Sequence, residues 1–509
     1  MFKMAASMKE SCVENYFAEF HDCMSLKSDY KQMSKLNHIL TNLLRVKTAD
    51  MEGVRLEGTF ISDMESLVDL SQQLTEDICE CVTNCYRLCR NVCALCSENQ
   101  TRLHDSTRFI QLTHSLMINC LQCNRRSEGL ILLLRCTVQF LANYSSGNKV
   151  NQTEIQGKFC DVFRSLLLLE DIKLREYVLM VVHIILTDIA SVMAAGLGDT
   201  QWSLLHTSIQ VTTESDSQNG LLVTEDCLRI PGFCEKLFSE MSIQTRILIS
   251  EVLINTLQRL PEDNMVTADN VTSADNVSVA DNVASADNVL SSDIDTDQNF
   301  DIPAVSNIHY IAADFILQSH LISSLTTDTS NHLQVMCTVK ELECLCIASS
   351  HHRLYGYLQE NEQLLKTAIS LLKCIEEIGK QGDNVFTNVD KMSKQREVNT
   401  DHPVYGLKRD LIRLLGNMAY KHQVNQNLIR ELDGIPLILE QTNIDGKNPF
   451  ITQWSVFAIH NLTEQNADNR QYIAELKLQG VDNNQAVLKE RGLKAETDGR
   501  KVVIKKDTD

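Results

Sequence analysis

Proline and glycine are scarce in this sequence of 509 residues, which contains only 6 prolines and 19 glycines. No proline precedes Pro231, so helices can run through the first half of the chain without meeting the residue that breaks them. Proteins built of β-strands need frequent turn residues, which this chain rarely supplies. Hydrophobic residues make up 43% of the chain, enough for a packed interior. The composition therefore predicts an all-α protein.

The chain also lacks an excess of basic residues, since its formal net charge is −20. Half of that charge lies between Glu262 and Ile302, where ten acidic residues occur without any Lys or Arg. The rest of the chain is mildly acidic and has no basic stripe. This charge distribution disfavours the binding of nucleic acid through its phosphates.

No long uninterrupted apolar segment is present. The stretch from Met1 to Cys23 mixes Lys, Glu and Asp, which does not fit the core of a secretory signal. The most apolar run, Tyr177 to Thr187, contains His183 and is too short for a membrane helix. We therefore expect no membrane insertion, a cytoplasmic and reducing compartment, and reduced thiols for the 18 cysteines.

An internal repeat emerges when the sequence is compared with itself. The stretch GNMAYKHQVNQNLI from Gly416 matches HNLTEQNADNRQYI from His460 at an offset of 44 residues. Periods of about 40–47 residues are typical of armadillo and HEAT units, so the spacing predicts an α-solenoid of armadillo-like repeats. An Asn, a second Asn eight residues later and an aliphatic residue four further on recur in four copies: Asn91, Asn99 and Leu103; Asn143, Asn151 and Ile155; Asn417, Asn425 and Ile429; Asn461, Asn469 and Ile473.

One unit can be interpreted as two helices joined by a capped turn. Trp454, Phe457 and Ala458 share one helix face. Asn469 is placed to cap the next helix by accepting a hydrogen bond from an otherwise unpaired amide. The run from Gly434 to Leu437 stops one helix and starts another. A structural role within the repeat is therefore predicted for six asparagines: Asn91, Asn99, Asn143, Asn151, Asn425 and Asn469.

These patterns divide the chain into four parts. N-terminal armadillo-like repeats occupy 1–260, a low-complexity acidic linker 261–303, C-terminal repeats 304–480 and a terminal tail 481–509. Within the linker, hexads such as ADNVTS repeat with a period that fits neither helix nor strand, so we expect a solvated, disordered insertion. Its Asp-Asn pairs are a weak calcium candidate because the glycine and terminal glutamate of an EF-hand loop are absent.

The cysteine-rich N-terminal half raises the alternative of a metal-dependent or thiol enzyme. Cys85, Cys89, Cys93 and Cys96 lie along one helix face, but a straight helix spreads them over roughly 16 Å, too far for one tetrahedral zinc. A half-site at Cys93 and Cys96 could be completed only by another pair, such as Cys120 with Cys123. The sequence contains no Gly-x-Ser-x-Gly, phosphate-loop, His-Glu-x-x-His or dinucleotide motif. Buried packing of the thiols is favoured, with no metal, cofactor or catalytic residue assigned.

The first Asn of each copy admits two roles, bonding to the backbone of a neighbouring repeat or contacting a partner, and the structural role is slightly favoured. Nuclear-import adaptors place a Trp four residues before this Asn, forming a groove for basic peptides. That groove is disfavoured here, because the equivalent positions are Arg87, Gln139, Arg413 and Phe457. The candidate partner-binding residues, paired on shared helix faces, are Arg413 with Asn417 and Phe457 with Asn461.

The strongest family resemblance covers Gly406 to Lys506, which contains GLKRDLIRLLGNMAYKH, ELDGIPLILEQTNIDGKNPFITQW and FAIHNLTEQNADNRQYIAEL. These stretches resemble the C-terminal domain of the ataxin-10 family, including Leu432 to Leu439 and Asn448 to Phe450. The N-terminal half resembles the family more loosely, chiefly around Arg90 to Gln100 and Gln139 to Asn143. The Asp-Asn hexads are not part of the family pattern.

The resemblance implies an armadillo-like fold, no enzymatic activity, and a role in neuronal survival, neurite outgrowth and cytokinesis. It also implies a cytoplasmic and perinuclear location that includes the centrosome and midbody. The partners it implies are a G-protein β subunit and the O-linked N-acetylglucosamine transferase. Periodicity and charge alone lead only to a non-catalytic helical scaffold for protein partners, with homo-oligomerisation left open.

Overall fold

The computed structural model describes most of the chain, and its helices coincide with the proline-poor apolar stretches. The described residues are 15–25, 30–45, 55–70, 75–94, 96–123, 127–261, 302–326, 331–389, 398–443, 445–476, 493–497 and 502–506. Residues 262–301 of the predicted linker lie outside this part of the chain. The structure divides into two compact units, Met1–Ile230 and Pro231–Asp509.

Every secondary-structure element among the described residues of the first unit is a helix. Helix α1 spans 15–25. It is followed by α2 Tyr30–Arg45, α3 Gly58–Leu70, α4 Glu76–Cys93, α5 Ser97–Asp105, α6 Thr107–Gln122, α7 Glu128–Ser145, α8 Lys149–Lys158, α9 Cys160–Leu167, α10 Ile172–Leu186, α11 Ile189–Ala195, α12 Asp199–Ser215 and α13 Gln218–Leu228.

Long helices pack side by side in a row through the first unit. Helix α4 packs between α2 and α7, and α10 packs between α7 and α13. Aromatic side chains join the row to the helices behind it. The Tyr86 ring lies 5.6 Å from Phe140 and 6.0 Å from Phe109, measured between ring centroids. The buried Tyr86 hydroxyl donates to Thr113 Oγ1 at 2.9 Å, so its polar end is satisfied inside the core.

The second unit repeats this arrangement, with α15, α18, α21 and α24 packed in succession as its row. Helices α14 and α15, which precede the predicted linker, pack against α16 and α18, which follow it. The helices are α14 Phe233–Leu237, α15 Ile243–Gln258, α16 Val305–Gln318, α17 His320–Ser323, α18 His332–Ala348, α19 His352–Tyr355, α20 Glu362–Lys380, α21 Leu407–Ala419, α22 Gln423–Glu431, α23 Gly434–Glu440, α24 Ile451–Thr463 and α25 Ala467–Glu475. Short 3₁₀ turns occur at Phe238–Glu240, Ser324–Thr326 and Gly356–Glu360.

Two short strands follow the last helix, in a region where the sequence predicted only a tail. Strand β1 is Leu493–Thr497 and strand β2 is Val502–Lys506. They pair antiparallel, with Leu493 opposite Lys506 and Thr497 opposite Val502. The alternation of apolar and charged residues from Leu493 to Glu496 is a local signal that favours a strand.

The all-α solenoid predicted from the sequence is confirmed, since the helices of each unit, taken by itself, stack in a row. Its specifically armadillo-like character stays a prediction. Among the described residues, no single helix is long and apolar enough to cross a membrane. The neighbouring helices α10 and α11 reach the necessary length and composition only as a pair, which is bent by 82°.

Close approach of two helices in the second row depends on one glycine. A Cβ atom added to Gly416 in α21 would lie 3.1 Å from Ala458 Cα and 3.4 Å from Phe457 Cδ1 in α24. Because these contacts involve helix backbone and a buried ring, neither can move aside at low cost. Glycine is therefore required here by packing rather than by its backbone conformation.

We expect Gly416→Ala to lower the free energy of unfolding by about 1–3 kcal/mol through overpacking. Gly157→Ala in α8 is the matched control, because no atom lies within 4 Å of its added Cβ. That variant should be neutral or stabilised by up to ~1 kcal/mol, the helix propensity gained over glycine. Urea titration followed by circular dichroism measures both. Equal effects of the two variants would show that α21 and α24 do not depend on this close contact.

Candidate interaction surface and the ladder beneath it

The second Asn of all four copies makes the same bond. Each side chain is almost fully buried, and each Nδ2 donates to the carbonyl oxygen seven residues earlier, at the end of the preceding helix. Helix ends leave such carbonyls without an intrahelical partner, so these amides close the turn between the two helices of a unit. The pairs are Asn99 with Val92 (2.9 Å), Asn151 with Tyr144 (2.8 Å), Asn425 with Met418 (2.9 Å) and Asn469 with Leu462 (2.8 Å).

The prediction that Asn469 caps its helix is wrong. Asn469 is the third residue of α25, and the cap is Asn466, whose Oδ1 accepts from the Asn469 amide at 2.9 Å. Asn148 and His422 cap α8 and α22 in the same way, each three residues before the buried Asn. A side chain inside the first turn points back along the helix, so it reaches the preceding carbonyl rather than its own amides.

Within each compact unit, the same buried amides also join one helical repeat to the repeat before it. Asn151 Nδ2 donates to Gln100 O at 3.3 Å, and Asn469 Nδ2 donates to Gln426 O at 3.1 Å. Asn425 Nδ2 makes an equivalent bond to Gln359 O at 2.7 Å. Each of these three asparagines therefore links its own helix to the helix before it and to the previous repeat.

Three glutamines complete the linkage in the opposite direction. Each Nε2 donates to two carbonyls at the end of the next helix in the row, one belonging to the first Asn of a copy and the other to the residue three further on. Gln100 bonds to Asn143 O (2.7 Å) and Ser146 O (3.1 Å), Gln359 to Asn417 O (3.2 Å) and Tyr420 O (2.8 Å), and Gln426 to Asn461 O (2.8 Å) and Glu464 O (3.4 Å). We call these glutamines and the buried asparagines the amide ladder.

Sequence reasoning missed the glutamines, although a signal was present. Gln100 and Gln426 each follow the second Asn of a copy directly, so an Asn-Gln pair recurs at the same place. Gln359 could not have been found in this way, because it lies in a 3₁₀ turn outside the four copies. The missed residues are donors to main-chain oxygens, which leave no mark on the sequence of the accepting unit.

In three copies the first Asn also bonds to the backbone of the preceding repeat. Asn143 Nδ2 donates to Arg90 O at 2.8 Å, Asn417 Nδ2 to Cys346 O at 3.0 Å, and Asn461 Nδ2 to Gly416 O at 2.9 Å. Asn417 and Asn461 are 1% exposed, so their amides are committed to the backbone. The geometry favours the structural alternative for these two candidates, and a contact with a partner stays a prediction.

The other two candidates, Arg413 and Phe457, differ in exposure. Phe457 is 7% exposed and packs against α21, whereas Arg413 is half-buried. The Arg413 guanidinium carbon lies 4.9 Å from the centre of the Trp454 ring, which is also half-buried. Trp454 in turn meets Phe457 edge-on at 5.6 Å. The accessible part of the predicted patch is therefore the Arg413–Trp454 pair, which joins α21 to α24 across two successive repeats of the second unit.

The positions equivalent to Arg413 in the first unit are used differently. Arg87 Nη1 donates to Asn84 Oδ1 at 3.0 Å, and Gln139 Oε1 accepts from Arg90 Nη1 at 2.7 Å. Half-buried side chains of Asn91 and Gln139 thus lie in a network along the row. The exposed side of this row is polar, and its groups are largely satisfied by one another.

The cysteines are packing residues in this fold. Cys81, Cys85, Cys89 and Cys93 are all buried in α4, and burial raises the pKa of Cys81 to about 12 and that of Cys93 further. A thiol held protonated is a poor nucleophile and a poor metal ligand. Among the described residues, no three or more His, Cys, Asp or Glu side chains are grouped to hold a metal ion. Cys96 and Cys123 are half-buried, and Cys120, whose pKa burial raises to about 12, is buried.

Comparisons with known proteins agree with the sequence resemblance. A family model described as the spinocerebellar ataxia type 10 protein domain matches residues 407–505. Ataxin-10 of Bos taurus is 29% identical over 436 residues, covering 84% of this chain and 82% of that protein. Ataxin-10 of Homo sapiens is 28% identical over 483 residues, covering 92% and 90%. The chain is similar to ataxin-10 over most of its length.

Sequence identity to another homolog is higher, but it extends over a shorter stretch. An ataxin-10 homolog of Dictyostelium discoideum is 48% identical over 101 residues, or 20% of this chain and 16% of that protein. Among solved structures, an engineered protein aligns with 88% of this chain and 99% of its own at 11% identity and a TM-score of 0.34, too low to support an argument. The similarity to ataxin-10 therefore depends on sequence, and the description of the fold depends on the helices themselves.

We expect Gln426→Ala to destabilise the second unit by about 1–3 kcal/mol, because it removes the side-chain donor to the Asn461 carbonyl and the acceptor that Gln426 Oε1 offers to Asn466 Nδ2. Gln471→Ala is the control, since Gln471 lies exposed on α25 and bonds only within its own helix. Differential scanning calorimetry compares the two. If both variants melt like the parent chain, the glutamine bonds contribute nothing to the stability of the row.

We also expect the thiols to divide sharply in their reactivity. Under native conditions an uncharged maleimide should label Cys96, Cys123 and Cys374, which are half-buried, before any of the buried thiols. Denaturant should release the rest together, because their protection depends on folding. Peptide mass spectrometry identifies the labelled positions. Rapid native labelling of Cys85 or Cys89 would contradict the packing role of the α4 thiols.

Proposed function

We propose that the protein is a non-catalytic scaffold that binds other proteins through the helix rows of its solenoid. The observation that carries this proposal is the Arg413–Trp454 pair, held half-exposed on the row of the second unit. Arg and Trp are enriched among the residues that dominate the energetics of protein interfaces. The amide ladder beneath the pair fixes α21 and α24, so the pair is preorganised and little conformational entropy is lost on binding.

The chemistry of the pair favours a partner with a carboxylate beside an apolar or aromatic group. The Arg413 Nε atom is buried and has no hydrogen-bond partner within the described residues, so a partner would meet the outer nitrogens of the guanidinium. Stacking on Trp454 holds the guanidinium plane, and a guanidinium presents a rigid fork of donors to an approaching carboxylate. A partner of this kind would cover the Trp454 ring as it pairs with Arg413.

Similarity to ataxin-10 supports a choice of partners to test. We propose a G-protein β subunit and the O-linked N-acetylglucosamine transferase as partners. We further propose roles in neuronal survival, neurite outgrowth and cytokinesis. The cytoplasm, the perinuclear region, the centrosome and the midbody are the proposed sites of action. The alternative of a metal-dependent or thiol enzyme gains no support from the buried, protonated thiols of α4.

Arg413→Ala should weaken binding of a genuine partner at least tenfold, equivalent to about 1.4 kcal/mol, while the melting temperature changes little because Arg413 is half-buried. Isothermal titration calorimetry with the purified transferase and with the purified β subunit measures the effect. Lys373→Ala, which removes one exposed positive charge elsewhere in the same unit, is the control and should bind as the parent chain does. If a partner binds the parent chain and Arg413→Ala equally well, the interaction surface lies elsewhere.

A further inference from the structure

The last helix of the second row, α24, has an uncharged side that its neighbours leave open. Its opposite side meets α21 through Trp454, Phe457 and Asn461. Counting 100° per residue around the helix, Val456 and Ile459 point away from that contact. Val456 is 50% exposed and Ile459 is half-buried.

The 44-residue repeat shows what these positions do elsewhere. In α21, which packs between α18 and α24, the equivalents of Val456 and Ile459 are Ile412 and Leu415, and both are 0% exposed. The same contrast holds on the second helix of the unit. Ile473 in α25 is half-buried, whereas its counterparts in the three other copies are 0% exposed: Leu103, Ile155 and Ile429.

The amide ladder also changes at this unit. The three earlier copies have Gln directly after the second Asn, but the last copy has Arg470. Arg470 keeps the bond within its own unit, donating from Nη1 to Thr463 O at 2.7 Å. The last unit thus lacks the glutamine that would join a further helix unit, while it retains an apolar face. The terminal unit of a solenoid normally has a polar outer side, so this face calls for a cover of another kind.

We propose that the cover is the chain's own C-terminal hairpin, strands β1 and β2. A two-stranded sheet is marginally stable by itself in water and needs an apolar surface to pack on. Both strands contain apolar residues, at Leu493 and Ala495 and at Val502 to Ile504. Residues 477–492 connect α25 to β1, and a stretch of that length can span up to about 50 Å, so the hairpin can reach α24.

The family model gives independent support for this occupant. It runs from residue 407, at the start of α21, to residue 505, inside β2. The domain that recurs in the family therefore includes the hairpin together with α21 to α25. The hairpin closes the C-terminal end of the row. It covers Val456 and Ile459 of α24, Ile473 of α25 and Leu476, which directly follows α25.

Hydrogen–deuterium exchange of the full chain, read by mass spectrometry, tests the proposal. Amides of 493–497 and 502–506 should exchange at least tenfold more slowly than the same sequence in an isolated peptide. Val456→Asp should abolish that protection. Val424→Asp is the matched control, because Val424 is 70% exposed on α22 and lies outside the proposed surface, and it should leave the protection intact.

A chain ending at residue 492 provides a second reading that requires no substitution in α24. Its α24 and α25 amides should exchange faster than those of the full chain, while exchange in α20 stays the same. Unprotected hairpin amides in the full chain, or unchanged exchange of α24 after truncation, would overturn the proposal. It would equally fail if protection of α24 rose with protein concentration alongside a dimer in sedimentation, because a second copy would then be the cover.

Discussion

The structure of both units depends on the donation of side-chain amides to main-chain carbonyls between successive helices. Every helix end presents carbonyl oxygens without an intrahelical partner, and in a stacked array these ends are shielded from water. Asn and Gln supply the missing donors while keeping an acceptor for a second bond. Asn469, for example, bonds to Leu462 O, to Gln426 O and to the Arg430 guanidinium. One buried side chain therefore fixes the angle within a unit and the spacing to its neighbour.

Because the amide ladder holds the helices together, side chains on the surface of the row are not needed for stability. The Arg413 guanidinium is not needed to hold α21 against α24, because Gly416 and Asn461 already do so. A side chain released from packing in this way can contact another protein at a small cost in stability. In the first unit the equivalent positions are occupied by bonds among Arg87, Asn84, Arg90 and Gln139. The two rows thus have the same framework but offer different surfaces.

Much of the fold could be predicted from the sequence, because proline scarcity and the spacing of the Asn pairs are local signals. The same signals located the second Asn of each copy, which is buried in all four, since a polar residue recurring on an apolar background indicates a satisfied donor. What could not be predicted were contacts that depend on where a neighbouring unit lies. The partnership of Trp454 with Arg413 joins residues on two different helices, and the role of Asn469 depended on a carbonyl seven residues away. The strands at 493–506 were predicted only as a tail, because the second strand, VVIKK, lacks the alternation of apolar and charged residues that indicates a strand.

The acceptors of the ladder are main-chain oxygens, which every amino acid carries. A unit can therefore replace nearly all its side chains without withdrawing the atom that its neighbour binds, provided that its helix ends in the same place. Selection on such an array acts strongly on a few donors and weakly on everything they touch. A protein of this construction can drift far in sequence while its helices keep their order. An identity of 28% extending over 92% of the chain is compatible with this construction.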